Sequence, residues 1–384
     1  MPTLVPESPP PAIRANQHIY DDYFRPDFTT TLDNNLLQLL DRVWFRSRLV
    51  GFEDFPARNY PARPLIFASN HSGMAFPWDA IVALAHLWRV LPRRDMPRPL
   101  SAPLLSKTTL MNPYLIPDFW LRVGSVQATT LNFETMMYQQ DYNLMVYPEG
   151  VPGIGKGFNH KYELQRLATS MVRMSVEHDT DIVPFYTVNA EYFNPFAYSF
   201  GWVNRAFKKI GIPFLPLTPL LLLVLLQPWA FYLALPAQPT FVMGTRIRVR
   251  DLAPRPAAEL TRADYQALSE QVRQRMQTEL TAAVATHGRH PYRWRELWQR
   301  MKENRRYFPF FLPFAWPVAF AEFERRYVRC GERNFHLPLD QPGAFWKYIW
   351  RNPLTLAYFV PLLGWIPLAL KGYHRHKLGR RSQP

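Results

Sequence analysis

Three short apolar runs, residues 64–68, 143–147 and 181–188, alternate along the chain with segments whose apolar residues recur at helical intervals. Strands that alternate with helices pair as a mainly parallel sheet covered on both faces, which excludes all-β and all-helical architectures. The expected fold class is therefore α/β, a mainly parallel sheet flanked by helices. Helices are expected over 79–88, 132–140, 164–174 and 262–280, and further strands over 121–126, 240–244 and 247–249. Residues 31–50 read as an amphipathic helix whose aromatic, basic end either lies on a bilayer or packs on the domain.

In such sheets the chemistry gathers where strands end. The first run leads into Ser69, Asn70, His71, Ser72 and Gly73, and a helix follows with Asp79 in its first turn. A helix N-terminus favours an ionised carboxylate, so this stretch offers an imidazole on a loop and an acid within reach, the pairing that a general base requires. The second run leads into Pro148, Glu149 and Gly150, with Gly153 and Lys156 beyond. A glycine-rich turn at a strand end presents backbone N–H groups to an anion, Lys156 adds a cation, and Glu149 supplies an acceptor for a hydroxyl. The spacing from Gly150 to Lys156 also matches a phosphate-binding loop, but Gly157 stands where the magnesium-binding hydroxyl belongs, so nucleotide hydrolysis is rejected. No Gly-x-Ser-x-Gly elbow and no zinc-like histidine spacing occur, which leaves an acyl-serine intermediate and a metal site without support.

A net charge of +15 calls for an acidic partner, and an aromatic content of 15% directs the choice to an anionic membrane surface rather than nucleic acid. The single cysteine, Cys330, excludes a disulfide framework, reads as a small buried hydrophobe, and suits a reducing compartment. The expected location is thus membrane-associated, facing the cytoplasm. Residues 1–30 begin with a proline-rich stretch unlike a secretory signal and are expected to be a disordered tail. The apolar stretch 213–236 is interrupted by Gln227 and Pro228, so it reads either as ordinary core or as a re-entrant hairpin. Residues 286–384 form an apolar, aromatic and basic C-terminal extension, expected to be helical. Within it, 353–370 is an interfacial anchor, a spanning helix or a packed extension.

Taken in order, Asn70-His71 through Asp79, Pro148-Glu149-Gly150 and Ile182-Val183-Pro184 resemble the motifs of the glycerolipid acyltransferase family, the lysophosphatidic acid acyltransferase-like proteins, over about residues 35–285. The resemblance implies a glycerol-3-phosphate acyltransferase-like fold over 31–285. It implies transfer of a fatty acyl group from acyl-CoA or acyl carrier protein, a co-substrate rather than a resident cofactor, to a hydroxyl of a lipid acceptor. His71 would take the hydroxyl proton, Asp79 would orient the imidazole, and Glu149 with Gly150 would position the acceptor, beside Asn70, Ser72, Pro148, Gly153 and Lys156. Two departures stand out. Seven residues separate His71 from Asp79 where the family has four, as in its diacylglycerol acyltransferase-like branch. The family's second motif carries an arginine for the acceptor phosphate, whereas Thr129 and Thr130 stand here; a hydroxyl lacks the charge of a guanidinium, so the acceptor is expected to carry no phosphate. The competing class is a non-catalytic lipid-binding or scaffolding protein on the same fold.

Overall fold

The computed structural model describes residues 8–73, 76–209 and 219–372. Its centre is a seven-stranded sheet: β1 (Arg48–Val50), β2 (Ile66–Ser69), β3 (Pro97–Ser101), β4 (Val126–Gln127), β5 (Asn143–Val146), β6 (Ile182–Val188) and β7 (Thr240–Met243). The spatial order is β1-β7-β6-β2-β5-β3-β4. All neighbours are parallel except β6 and β7. Every residue of β2, β5 and β6 is buried, as expected for strands covered on both faces.

In chain order the helices that matter here are α1 (Pro26–Leu32), α2 (Trp78–Val90), α3 (Phe119–Arg122), α4 (Thr130–Met136), α5 (Gly150–Gly155), α6 (Thr169–Glu177), α7 (Pro219–Leu226), α8 (Arg262–His287), α9 (Trp316–Glu324), α10 (Ala344–Arg351) and α11 (Trp365–Lys371). One face of the sheet is sealed by α6 and α8 through Met171, Val172, Val272, Met276 and Leu280. The other is sealed by the chain from α1 to Phe45, by α2 and by α9, where Phe45, Trp78 and Trp316 lie edge to face or tilted within 6 Å of one another. Residues of the C-terminal extension thus share a core with the sheet. The segment around residues 31–45 packs on the domain, with Leu36, Leu40, Val43 and Phe45 buried.

The structure corrects several expectations. Residues 121–126 are not one strand: the buried trio Phe119, Trp120 and Leu121 forms α3, the chain turns at Gly124 with φ +102°, and only Val126 and Gln127 join the sheet. Residues 164–168 are extended rather than helical because other partners take their N–H groups: Leu164 donates to the Gln277 side chain at 2.7 Å and Ala168 to the Pro148 carbonyl at 2.8 Å. Of 247–249, only Ile247 bridges β6, and Val249 begins a 3-10 turn. Residues 8–30 are folded, not a disordered tail, since Ile13, Tyr20, Phe24 and Phe28 are buried and Arg98 holds the Tyr20 carbonyl at 3.3 Å; residues 1–7 lie outside the described part. Cys330 is exposed.

The stretch 213–236 is neither a single hairpin nor uniform core. Residues 210–218 lie outside the described part, α7 exposes Leu222, Leu223, Leu225 and Leu226, and Pro228, Ala230, Tyr232 and Ala234 are buried. Residues 353–370 fold as a 3-10 segment, Pro353–Phe359, followed by α11, and no helix among the described residues is long and apolar enough to cross a membrane.

Candidate active site

β2 lies between β5 and β6 and is parallel to both, so the three C-terminal ends open on one edge of the sheet. Asn70 prolongs the pairing with its side chain: Oδ1 accepts the Thr187 N–H at 2.8 Å and Nδ2 donates to the Thr187 carbonyl at 3.1 Å. The backbone is thereby free to leave the sheet at His71.

The second strand end meets the first directly. Glu149 accepts the His71 N–H at 2.8 Å through Oε1 and the Gln165 N–H at 2.7 Å through Oε2, and Lys156 Nζ stands 3.6 Å from it. Lys156 is buried and also donates to the Glu163 carbonyl at 3.1 Å. Two glycines permit the close approach. A β-carbon at Gly73, where φ is +91°, would lie 2.7 Å from the Lys156 carbonyl; one at Gly153 would lie 2.5 Å from Glu149 Cβ and 3.1 Å from His71 Cδ2. Gly150, at φ +58°, has open space around it. Pro148 contributes its carbonyl to the Ala168 N–H.

The His71 ring stacks on Tyr147, 4.4 Å between centroids and 18° between planes, and remains partly exposed while protein surrounds it. This burial, with the Lys156 charge second, pushes its pKa down to about 3, which favours the neutral imidazole. Asp79 is buried in the first turn of α2. Its Oδ2 accepts the Ser72 N–H at 3.4 Å, the Ser72 hydroxyl also bonds to it, and burial raises its pKa against those bonds. Among the described residues no hydrogen bond or ion pair joins the His71 ring to Asp79. The carboxylate ties down the loop one residue beyond the imidazole instead of orienting the ring, and Met74 and Ala75 within that loop lie outside the described part.

Thr129 and Thr130 are not brought to His71. Thr129 caps α4 by accepting the Asn132 N–H at 3.1 Å, and both threonines are exposed beyond β4. That strand is three places from β2, about 14 Å at ordinary strand spacing. The sequence reading missed two residues of the site. Tyr147, just past β5, carries a buried hydroxyl without a hydrogen-bond partner among the described residues, its pKa raised by burial and by Asp79. Glu191, just beyond β6, is buried with Oε1 accepting the Tyr162 N–H at 3.3 Å and Oε2 unpartnered; burial pushes its pKa up to about 7. The only signal for either was a titratable side chain just past a strand end. Among the described residues no set of three His, Cys, Asp or Glu side chains converges as a metal site.

No family model matches the chain, and no solved structure does. It is 26% identical over 198 residues to uncharacterized proteins of Mycobacterium bovis and Mycobacterium tuberculosis, covering 51% of each chain. A Mycobacterium leprae protein, also uncharacterized, is 25% identical over 198 residues. The chain spans about half the length of the curated relatives it matches.

Proposed function

We propose that the chain is an O-acyltransferase of the glycerolipid type, moving a fatty acyl group from acyl-CoA or acyl carrier protein to a lipid hydroxyl. The observation that carries this reading is the neutral, partly exposed imidazole of His71 at the C-terminal end of a central parallel strand, held by Glu149 and flanked by Gly153. The placement of His71 after β2, of Pro148-Glu149-Gly150 after β5 and of Val183-Pro184 within β6 suits the glycerol-3-phosphate acyltransferase-like arrangement.

In this reading His71 accepts the proton of the acceptor hydroxyl as its oxygen attacks the thioester carbonyl. The tetrahedral intermediate collapses, the carbon–sulfur bond breaks, and the leaving thiolate takes the proton from the imidazolium. Neutral His71 is competent to begin the cycle. Burial and the nearby Lys156 disfavour the imidazolium, which makes proton uptake from the hydroxyl harder and its onward transfer to the thiolate easier. Glu149 acts on the His71 backbone and keeps the loop in place, a positioning part rather than a reacting one. The proposed acceptor, a mono- or diacylglycerol or another lipid alcohol, follows from the resemblance alone, since Thr129 and Thr130 stand away from His71.

The test is acceptor-dependent thiol release from long-chain acyl-CoA by the wild type and by His71→Ala. Turnover by the wild type that falls about 100-fold or more in the variant supports the assignment; no acceptor-dependent release by the wild type ends it. Preference for lysophosphatidic acid over neutral lipid alcohols would overturn the acceptor class. The second reading, a lipid-binding scaffold that has lost catalysis, draws on one observation: Asp79 bonds Ser72 and not the His71 ring.

A further inference from the structure

Two segments that lie more than 120 residues apart in sequence combine into one exposed apolar platform. Helix α7 is Pro-Leu-Leu-Leu-Leu-Val-Leu-Leu, and Leu222 is 64% exposed. The C-terminal segment that starts at Pro353 presents Leu362, 61% exposed, with Leu354 and Ile366 on either side. Hydrogen bonds weld the two together: the Leu362 N–H donates to the Leu226 carbonyl at 2.6 Å, Trp365 Nε1 to the Leu225 carbonyl at 2.9 Å, and Gln227 Nε2 to the Ala357 and Val360 carbonyls at 3.1 and 2.6 Å. Such a surface of leucines facing water signals a partner.

Charge decides which partner. The sequence stretches 192–250 and 341–384, within which the residues of the platform fall, contain no aspartate or glutamate. Their charged residues are all cationic, including Arg205, Lys209, Lys347 and Lys371, with Arg375, Lys377, Arg380 and Arg381 following in sequence. On α10, Trp346 and Trp350 are 70% and 87% exposed on either side of the exposed Lys347. A protein partner is ordinarily met by a rim of both charge signs; apolar tips, exposed indoles and cations without a single acid match the layers of an anionic bilayer from acyl chains to headgroups. We infer that α7 and the segment from Pro353 to α11 form one lipid-docking surface that seats the protein on an anionic bilayer.

The chain that leaves α7 packs against the start of α2. The 3-10 turn Pro228–Tyr232 follows α7, the Trp78 indole donates to the Tyr232 carbonyl at 2.8 Å, and Phe76 packs edge to face on Tyr232 at 4.9 Å. The segment that follows α7 is thus tied, through buried side chains, to the far end of the loop that carries His71. Delivery of a lipid alcohol from the bilayer to that loop rests on the acyltransferase reading; the docking itself does not.

The test uses the full chain and vesicles without thioester, either phosphatidylcholine alone or phosphatidylcholine with phosphatidylglycerol. Sedimentation is expected with the mixed vesicles, weaker by about tenfold with phosphatidylcholine alone. Leu222→Asp and Leu362→Asp, each at an exposed position, are expected to lower partitioning about tenfold or more with an unchanged circular dichroism spectrum. As a measurement free of substitution, brominated acyl chains are expected to quench the tryptophan fluorescence of the wild type. Wild-type partitioning by both variants, no quenching, or a dimer that ignores vesicles and is split by Leu222→Asp would overturn the proposal. A chain that docks yet transfers no acyl group leaves it standing, so its failure and the failure of the catalytic reading are separable.

Discussion

The carboxylate of Glu149 accepts the main-chain N–H of His71 at 2.8 Å, so an acid at the end of one parallel strand fixes the loop at the end of its neighbour. The same carboxylate holds the Gln165 N–H and lies beside the Lys156 ammonium. Glu149→Ala would leave two buried N–H groups and a buried cation uncompensated. The expected loss is about 3–5 kcal/mol by urea denaturation. Glu149→Gln keeps an acceptor for one N–H and is expected to lose less than half of that.

Gly153→Ala places a methyl group 2.5 Å from Glu149 Cβ and 3.1 Å from the His71 ring, both in a packed wall. It is expected to cost about 1–3 kcal/mol and to displace the imidazole. Gly150→Ala meets no atom within 4 Å and bears only the strain of φ +58°, about 1 kcal/mol. Under the proposed acyl transfer, thiol release from acyl-CoA should therefore fall further for Gly153→Ala than for Gly150→Ala, and the reverse order would contradict the geometry.

Burial and Lys156 push the His71 pKa down to about 3, below the ordinary imidazole value of 6.5. The native state binds fewer protons than the unfolded chain between those values, so this group makes stability fall as pH drops through that window. Its ring resonances are expected not to titrate between about pH 8 and 5 in an NMR titration, and kcat/KM should show no inflection near 6.5 from this residue. A His71 ring titrating near pH 6.5 would refute the burial argument.

Glu191 shifts the other way, from 4.5 to about 7. The native state holds a proton that the unfolded chain releases, so its contribution is complete below about 4.5 and is lost as pH rises through about 7. Glu191→Gln removes this dependence. The stability difference between wild type and variant, followed by chemical denaturation, should drift against the wild type by about 3 kcal/mol at most across that window. A difference independent of pH would show that Glu191 is ionised in the native state throughout.

Arg98 is buried, donates to the Gly124 carbonyl at 2.8 Å and to the Tyr20 carbonyl at 3.3 Å, and lies over the Phe24 ring at 4.6 Å. Arg98→Met removes those bonds and is expected to cost about 2–4 kcal/mol. Limited proteolysis should then cut first between residues 8 and 25, the segment that Arg98 anchors. Unchanged protection there would assign its order to the apolar side chains alone.

The strand ends carrying Asn70, His71 and Glu149 were legible because each is announced locally, by an apolar run that stops at polar or glycine residues. The helix after Asp79 and the long helix α8 were legible for the same reason, a periodicity contained within the segment. The folded N-terminal segment was not: Tyr20 and Phe24 are held by Arg98 and Gly124, brought from far along the chain. Residues 164–168 carry a helical period, but Gln277 and Pro148 claim their N–H groups.

By itself, then, the chain determined the three central strands β2, β5 and β6, the helices α2 and α8 and the kinds of side chain at those strand ends, since propensity and periodicity act over about ten residues. The tertiary structure alone decided that Tyr147 lies flat on His71, that Asp79 reaches Ser72 rather than the imidazole, and that Leu226 meets Leu362. Those outcomes depend on which groups share a desolvated volume after the sheet is assembled, and both hydrogen-bond partners and protonation states are set by such neighbours, not by nearness along the chain.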